Sequence, residues 1–133
     1  MSFWLLDTNT ISAIFQDPFG RVASRIDTTD QRAICTSIIV ACELRFGAAK
    51  RNSAKLTTWV EATLDDLDVH PLGPDVDRHY AHLRAHLERH GTPISGNDML
   101  IAAHALALDC ILVTTNTREF AQIDGLRLEN WLA

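Results

Sequence analysis

The sequence lacks several features that would assign it to a familiar class. No hydrophobic run approaches the ~20 residues that cross a bilayer, so we expect no contact with a membrane. The first residues carry no basic segment ahead of a hydrophobic one, which argues against a secretory signal peptide. The three cysteines lack Cys-x-x-Cys spacing, so neither a disulfide framework nor a zinc site is predicted. We expect a protein of the reducing cytoplasm.

Common signatures of nucleotide binding and nucleophilic catalysis are also missing. The sequence has no glycine-rich phosphate loop, and no serine lies in the Gly-x-Ser-x-Gly pattern of a nucleophile elbow. The net charge of −5 combines +2 over 1–60 with −7 over 61–133. Proteins that cover nucleic acid over a wide surface usually carry a basic patch, so this charge favours a small catalytic contact or a basic protein partner.

The order of apolar segments predicts the fold class. We expect one domain over 1–133, because the length is sufficient for a substantial core. Strand-like segments alternate with helical ones, which predicts an α/β fold with a parallel sheet of four to five strands between two helical layers. The predicted strands are 3–6, 33–36, 68–70, 110–114 and 126–128. The predicted helices are 9–15, 21–27, 38–49, 56–67, 76–90 and 97–109, and the third and fourth form a hairpin.

The first predicted strand ends at an acidic residue. Its unbroken apolar run, 3–6, is typical of a strand buried on both faces. Asp7 follows directly, and the next residues are suited to starting a helix. Asp7 is therefore predicted at the carboxyl edge of the sheet, where open α/β sheets bind their ligands. The alternative is that Asp7 only caps the helix.

Two further acids lack a cation within their own helix. Glu43 lies in an apolar stretch of the third predicted helix, and Asp98 lies in the first turn of the sixth. No lysine or arginine is three or four residues from either acid. Each also has a simpler interpretation, Glu43 as a solvent-facing residue and Asp98 as a cap that gains from the helix dipole.

A shared cation-binding site would account for all three acids. Asp7, Glu43 and Asp98 can converge at the carboxyl edge of a parallel sheet. Unpaired carboxylates in one low-dielectric cleft repel each other, and a hard cation with oxygen ligands, Mg²⁺ or Mn²⁺, relieves the repulsion. Such a centre orients a phosphodiester and activates water for in-line attack.

Four segments occur in order along nearly the whole chain: 5–9 (LLDTN), 42–48 (CELRFGA), 97–105 (NDMLIAAHA) and 113–120 (VTTNTREF). Together they resemble the successive motifs of PIN-domain ribonucleases, and above all of the VapC toxins of VapBC toxin–antitoxin pairs. The resemblance implies that Asp7, Glu43 and Asp98 are the metal-binding catalytic acids of a Mg²⁺-dependent endoribonuclease, with Mn²⁺ as the alternative ion. It implies a structured RNA substrate, with a lean to initiator tRNA cut in its anticodon stem-loop, and hence inhibition of translation.

The resemblance also implies partners. A VapB-type antitoxin would place its C-terminal segment in the groove and a basic side chain among the acids. We expect a homodimer in the bacterial cytoplasm, with the helical hairpin around Trp59 as its surface.

One position departs from the family pattern. Many PIN domains carry a fourth acid where this chain has Asn116, whose amide oxygen can accept a hydrogen bond or offer a ligand atom but adds no charge. Glu119, three residues later, is an alternative ligand or a surface residue. We therefore expect a weak second metal site.

Other polar residues have weaker claims. Arg45, Lys50 and Arg51 lie on the predicted hairpin near Glu43, as phosphate contacts or as ordinary surface charge. Four histidines share one side of the fifth predicted helix, which we interpret as a solvated boundary rather than a zinc site: His79, His82, His86 and His90.

The sequence can also be compared with two classes of protein other than nucleases. A phosphoacceptor receiver domain needs paired acids after the first strand and a lysine after the last core strand, yet Thr8 follows Asp7 and no lysine follows Lys55. A non-catalytic binding module that acts through an antitoxin in operon autoregulation stays open, although the three acids argue against it.

Overall fold

The computed structural model describes residues 2–133. Its elements follow in this order: β1 (Trp4–Leu6), α1 (Thr8–Gln16), α2 (Arg21–Asp27), β2 (Ile34–Ser37), α3 (Ile38–Arg51), α4 (Ala54–Asp66), β3 (Asp68–His70), α5 (Val76–Arg89), α6 (Gly96–Ala107), β4 (Ile111–Val113), α7 (Thr117–Phe120) and β5 (Leu128–Glu129). The alternation of strands and helices confirms the predicted α/β class.

The five strands form one parallel sheet in the order β3-β2-β1-β4-β5. In the centre, Trp4 pairs with Ile34 on one side and with Ile111 on the other. The chain runs outward from β1 to β2 and β3, and later returns to the other side of β1 with β4. This reversal of strand order makes the carboxyl end of β1 a topological switch point, the usual ligand position of such sheets.

The core lies on both sides of the central strands. Leu5 and Leu6 of β1 and Leu112 and Val113 of β4 are fully buried, which explains the unbroken apolar runs in the sequence. The middle of helix α6 is buried, since 101–105 have almost no exposed surface. The ends of β1, β4 and α6 that carry the candidate site are thus attached to the closely packed core.

The helical hairpin forms as predicted. Helix α3 ends at Asn52, which adopts the left-handed conformation (φ 49°), and Ser53 caps α4 by accepting a hydrogen bond from the amide of Leu56. Trp59 of α4 packs edge-to-face on Phe15 of α1, with ring centroids 5.0 Å apart. Trp59 is therefore half-buried inside the protomer.

The prediction was wrong in detail near the C-terminus. Helix α7 was not predicted, because four residues are too few to show helical periodicity. The last strand is Leu128–Glu129 rather than 126–128. Gly125 turns the chain at a φ of 80°, and Leu126 bonds back to the carbonyl of Ile123, so pairing with β4 begins only after this turn.

Within residues 2–133, no helix has both the length and the hydrophobicity that crossing a bilayer requires. Cys35 and Cys110 are buried with their sulfur atoms 3.9 Å apart, and Cys42 is exposed; all three are free thiols.

Candidate active site

Asp7 is held rigidly at the carboxyl end of β1. Its Oδ1 accepts a hydrogen bond from the backbone amide of Thr8, and its Oδ2 accepts one from the hydroxyl of Thr114, both at 2.8 Å. The side chain is only 4% exposed. Asp7 therefore does cap α1, as the simpler interpretation had it, but it also faces a cleft together with other acids.

Glu43 faces this cleft rather than open solvent. It is half-buried in the middle of α3, and its Oε1 accepts a 2.5 Å hydrogen bond from the hydroxyl of Thr8. Thr8 thus contacts two acids, since its amide bonds to Asp7 and its hydroxyl to Glu43.

Asp98 reaches the cleft from the first turn of α6. Ser95 is the cap of this helix, and its hydroxyl oxygen accepts a 3.1 Å hydrogen bond from the amide of Asp98. Asp98 is half-buried. Its position near the positive end of the helix dipole favours the charged carboxylate.

The three acids line one open cleft of about 520 Å³, which we call the acid cleft. It is lined by Asp7, Thr8, Asn9, Ser12, Ala13, Gln16, Glu43, Asp98, Thr115, Asn116 and Leu132. No arginine or lysine is among these lining residues, and in residues 2–133 none of the three acids forms a salt bridge. The cleft is therefore a concentration of negative charge without a protein counter-charge.

The pKa values of Asp7 and Asp98 are both raised, chiefly by burial and further by neighbouring carboxylates. Burial raises the pKa of Asp7, the hydrogen bonds from Thr114 and Thr8 oppose the rise, and the charges of Asp98 and Glu43 add to it. Burial also raises the pKa of Asp98, the Ser95 hydroxyl opposes it, and the charges of Glu43 and Glu119 add to it. A cation in the cleft would relieve these repulsions.

The donor set suits a hard divalent cation, because it consists of carboxylate, amide and hydroxyl oxygens. Among the described residues, no three His, Cys, Asp or Glu side chains already surround a common point as ligands of one ion. The acids therefore share a cleft without converging on a finished metal centre, and the fit to Mg²⁺ or Mn²⁺ rests on their chemistry and uncompensated charge.

Asn116 and Glu119 lie side by side at the rim. The Asn116 side-chain amide donates a 3.0 Å hydrogen bond to Oε2 of Glu119, and its backbone amide donates one of the same length to the Thr114 hydroxyl. Asn116 lines the acid cleft, whereas Glu119 is exposed and acts on it through its charge on Asp98.

A second groove of about 270 Å³ continues from the acid cleft, and we call it the α1–α4 groove. Thr8, Ser12, Gln16 and Glu43 belong to both. The groove is then lined by the residues of α1, α3 and α4 that follow: Phe15, Leu44, Gly47, Ala48, Arg51, Leu56, Trp59 and Val60. Its walls are of mixed polarity, with the aromatic rings of Phe15 and Trp59 beside Arg51, and it opens into the acidic centre.

The predicted phosphate-binding residues differ in availability. Arg45 is engaged in an ion pair with Glu61, in which both side chains are about half exposed. Lys50 extends over the ring of Phe46, and Arg51 lines the α1–α4 groove. Of the three, Arg51 alone lines the groove that joins the acid cleft.

The histidines of α5 lie at the boundary that the sequence indicates. His79 and His86 are half-buried, and His82 and His90 are exposed. The rings of His86 and His90 lie 4.2 Å apart, centroid to centroid. None of them reaches the acid cleft.

Sequence reasoning missed Thr8 and Thr114 as site residues. Thr114 is fully buried; its hydroxyl donates to Asp7 and accepts from the amide of Asn116. Both threonines lie within the quoted segments LLDTN and VTTNTREF. That co-occurrence with the acids was the one signal available, because β-branched residues are also common at strand ends.

Comparisons with known proteins agree with this geometry. The sequence model of the family described as PIN domain matches residues 4–126. The chain is 35% identical over 129 residues to the tRNA(fMet)-specific endonuclease VapC of Salmonella typhimurium, covering 96% of this chain and 97% of that protein. It is 35% identical over 134 residues to Ribonuclease VapC2 of Rickettsia felis, with the same two coverages.

Solved structures share the fold over nearly the full length. The crystal structure of DNA-bound VapBC from Salmonella typhimurium superposes with a TM-score of 0.89 at 33% identity, covering 98% of this chain and 99% of the other. VapBC2 from Rickettsia felis, bound to a DNA fragment from its promoter, superposes with a TM-score of 0.88 at 30% identity, covering 97% and 98%.

Proposed function

The chain belongs to the PIN-domain family and is a VapC-type ribonuclease, and we propose that it is a bacterial toxin that cleaves structured RNA with divalent cations held by Asp7, Glu43 and Asp98. The observation that carries the proposal is the acid cleft itself. Three carboxylates without a cationic partner line one cleft at the switch point of the sheet. Such charge is costly unless a cation or a positively charged group occupies the cleft.

The chain's own residues supply orientation and charge. Thr8 and Thr114 hold both oxygens of Asp7 in place, and the Thr8 hydroxyl holds Glu43. When bound, Mg²⁺ or Mn²⁺ supplies positive charge for the scissile phosphate and makes water a stronger acid. We propose Mg²⁺ as the ion used in cells. Asn116 and Glu119 would complete a weaker second site, because they add only one charge between them.

The proposed substrate is tRNA, with the anticodon stem-loop of initiator tRNA favoured, so that cleavage would inhibit translation. The support is the name of the 35% identical Salmonella relative, a tRNA(fMet)-specific endonuclease. Lys50 and Arg51, about two helical turns beyond Glu43 on α3, would contact phosphates next to the scissile bond. The small number of such cations fits a short contact at one loop rather than a wide nucleic-acid surface.

Its partner is a VapB-type antitoxin, as the VapBC complexes with the same fold indicate. We propose that an apolar segment of this antitoxin lies in the α1–α4 groove, against Phe15 and Trp59, and reaches the acid cleft with a basic side chain. Such a side chain would neutralise the acids and exclude RNA at the same time. The bacterial cytoplasm, where tRNA and antitoxin meet, is the proposed location.

A homodimer through the helical hairpin also stays a proposal. Trp59 is half-buried against Phe15, so it is a poor centre for the surface. Phe46 on α3 is 66% exposed and lies on the outer face of the same hairpin. We place Phe46 at the centre of the dimer surface in place of Trp59.

The test uses purified, antitoxin-free protein with total tRNA and Mg²⁺, beside an Asp7→Asn variant. The proposal predicts discrete fragments from the wild type that vanish with EDTA and with the variant, and mapping of the fragment ends identifies the RNA. If every RNA offered stays intact with a correctly folded wild type, the nuclease proposal is wrong.

Operon autoregulation through the antitoxin is a second candidate function, favoured by the two DNA-bound VapBC structures. It does not need the acids. Asp7→Asn in complex with the antitoxin should therefore bind operator DNA as tightly as the wild-type complex in a gel-shift titration.

A further inference from the structure

A buried hydrogen bond joins the two helices that carry Glu43 and Asp98. Oγ of Ser37 lies 2.8 Å from Nδ1 of His104, and the two residues are 0% and 1% exposed. Ser37 is also the N-cap of α3, because Oγ accepts a 3.1 Å hydrogen bond from the amide of Ile39. His104 lies in the second half of α6, which packs against α3. The bond therefore ties the first turn of α3 to α6.

The surroundings of the imidazole favour its neutral form. Oγ of Ser37 accepts the amide proton of Ile39 and can donate its own proton to Nδ1 of His104, which is the direction that a neutral ring protonated on Nε2 requires. The ring proton then lies on Nε2, a buried atom without a hydrogen-bond partner. Burial lowers the pKa of His104, the charge of His70 lowers it further, and the nearby carbonyl of Pro71 acts in the opposite direction. A neutral His104 that accepts from Ser37 leaves the cap of α3 intact and satisfies Nδ1, but not Nε2.

The polar pair costs stability at this position. His104 lies in a run of α6 whose other members, 101–103 and 105, are apolar and fully buried. A leucine would fill similar space without leaving Nε2 desolvated and unsatisfied. A polar pair of this kind is therefore better explained by the helix position that it fixes than by the stability that it adds.

That geometry concerns the acids. Glu43 follows Ser37 by six residues, and Asp98 precedes His104 by six, so each acid lies ~9 Å along its helix from the bond. We propose that His104 is a positioning residue: by accepting the hydrogen bond from Ser37, it fixes α3 against α6 and so sets the separation of Glu43 and Asp98 at which a divalent cation binds. The inference rests on the proposed function, because it requires that both acids bind the cation.

The test measures Mn²⁺ binding to the full chain without RNA, by titration calorimetry. His104→Leu removes the acceptor and should weaken Mn²⁺ binding about five-fold, the factor that one buried hydrogen bond is worth. His104→Asn keeps an acceptor close to the place of Nδ1 and should restore most of the affinity. Ser37→Ala should weaken binding as His104→Leu does, and the double variant should be no weaker than either single one.

A matched control separates positioning from lost stability. Val22→Ala creates a cavity in α2, which packs on α1 and carries none of the acids. It should lower the unfolding temperature and leave Mn²⁺ affinity unchanged, whereas His104→Leu should weaken Mn²⁺ binding without lowering the unfolding temperature as much.

The inference is overturned if His104→Leu binds Mn²⁺ as tightly as the wild type, or if Val22→Ala loses as much affinity as His104→Leu. Should His104→Leu fail to fold, unchanged affinity in Ser37→Ala overturns it equally. A wild type that binds no Mn²⁺ contradicts the proposed function itself. The two failures are distinguishable, because the inference about His104 is tested by comparing the Mn²⁺ affinity of each variant with that of a wild type that does bind the ion.

Discussion

The hydroxyl of Thr8 donates a 2.5 Å hydrogen bond to Glu43, while the amide of the same residue donates to Asp7. One residue thereby sets the positions of two acids that are 36 residues apart in the sequence. A substitution of Thr8 can remove the hydroxyl bond to Glu43, but it leaves the bond from the backbone amide to Asp7 in place.

Thr8→Val removes the bond to Glu43 and keeps the cap on Asp7. We expect kcat/KM for RNA cleavage to fall about ten-fold, since hydrogen bonds to charged groups contribute about 1.5–3 kcal/mol. Thr8→Ser, which keeps the hydroxyl, should retain most of the activity. Equal rates for Thr8→Val and wild type across a range of Mg²⁺ concentrations would show that the bond has no part in positioning Glu43.

Asp7→Asn should abolish cleavage and yet stabilise the metal-free protein at alkaline pH. Burial raises the pKa of Asp7 above its value in the unfolded chain, so the folded state binds the extra proton. The stability that this proton gives is fully present below the unfolded pKa of about 3.9 and is lost as the pH rises through the folded pKa. Asparagine removes the penalty of the buried charge.

Thermal unfolding in EDTA between pH 4.5 and 8 tests this prediction. At pH 8 the variant should unfold about 3 °C higher than the wild type, the shift that about 1 kcal/mol gives in a domain of this size. The advantage should shrink towards pH 4.5. A variant that is less stable than wild type at pH 8 would mean that the hydrogen bonds from Thr8 and Thr114 outweigh the desolvation.

Asn116→Asp would supply the fourth acid. The added charge should lower the Mg²⁺ concentration for half-maximal cleavage, and repulsion from Glu119 should lower the unfolding temperature without metal. Glu119→Gln should change both quantities in the opposite direction. If Asn116→Asp leaves the Mg²⁺ requirement unchanged, this position takes no part in ion binding.

Arg51→Ala should raise KM for RNA about three-fold and reduce the salt dependence of binding by about one charge, as expected for one lost phosphate contact. Arg45→Ala is the matched control, because Arg45 is already engaged with Glu61. Its effect should be small, since exposed ion pairs contribute little. A larger KM effect from Arg45 than from Arg51 would reverse the assignment.

The sequence was sufficient for the sheet and the acids for a definite reason. The apolar runs at 3–6 and 110–113 are short, and the second is rich in β-branched residues, so both favour buried strands, and an acid directly after such a strand is expected at the sheet's edge. Glu43 and Asp98 stood out because no cation lies near them on their helices. These features depend only on residues that are close together in the sequence, so they can be predicted without knowing the fold.

The contacts between distant segments could not be predicted. The bonds of Thr8 to Glu43 and of Ser37 to His104 span 35 and 67 residues, and no periodicity encodes them. The ion pair of Arg45 with Glu61 depends on how the hairpin closes, and the burial of Trp59 depends on Phe15 of another helix. Side-chain partners of this kind follow from packing rather than from sequence spacing.

The most direct test of the account is anomalous diffraction from crystals grown with Mn²⁺. We predict a Mn²⁺ peak in the acid cleft, within bonding distance of Asp7, Glu43 and Asp98 oxygens, which is absent from crystals of Asp7→Asn. A cleft without a peak at saturating Mn²⁺, or an equal peak in the variant, would contradict the claim that these three acids form the metal centre.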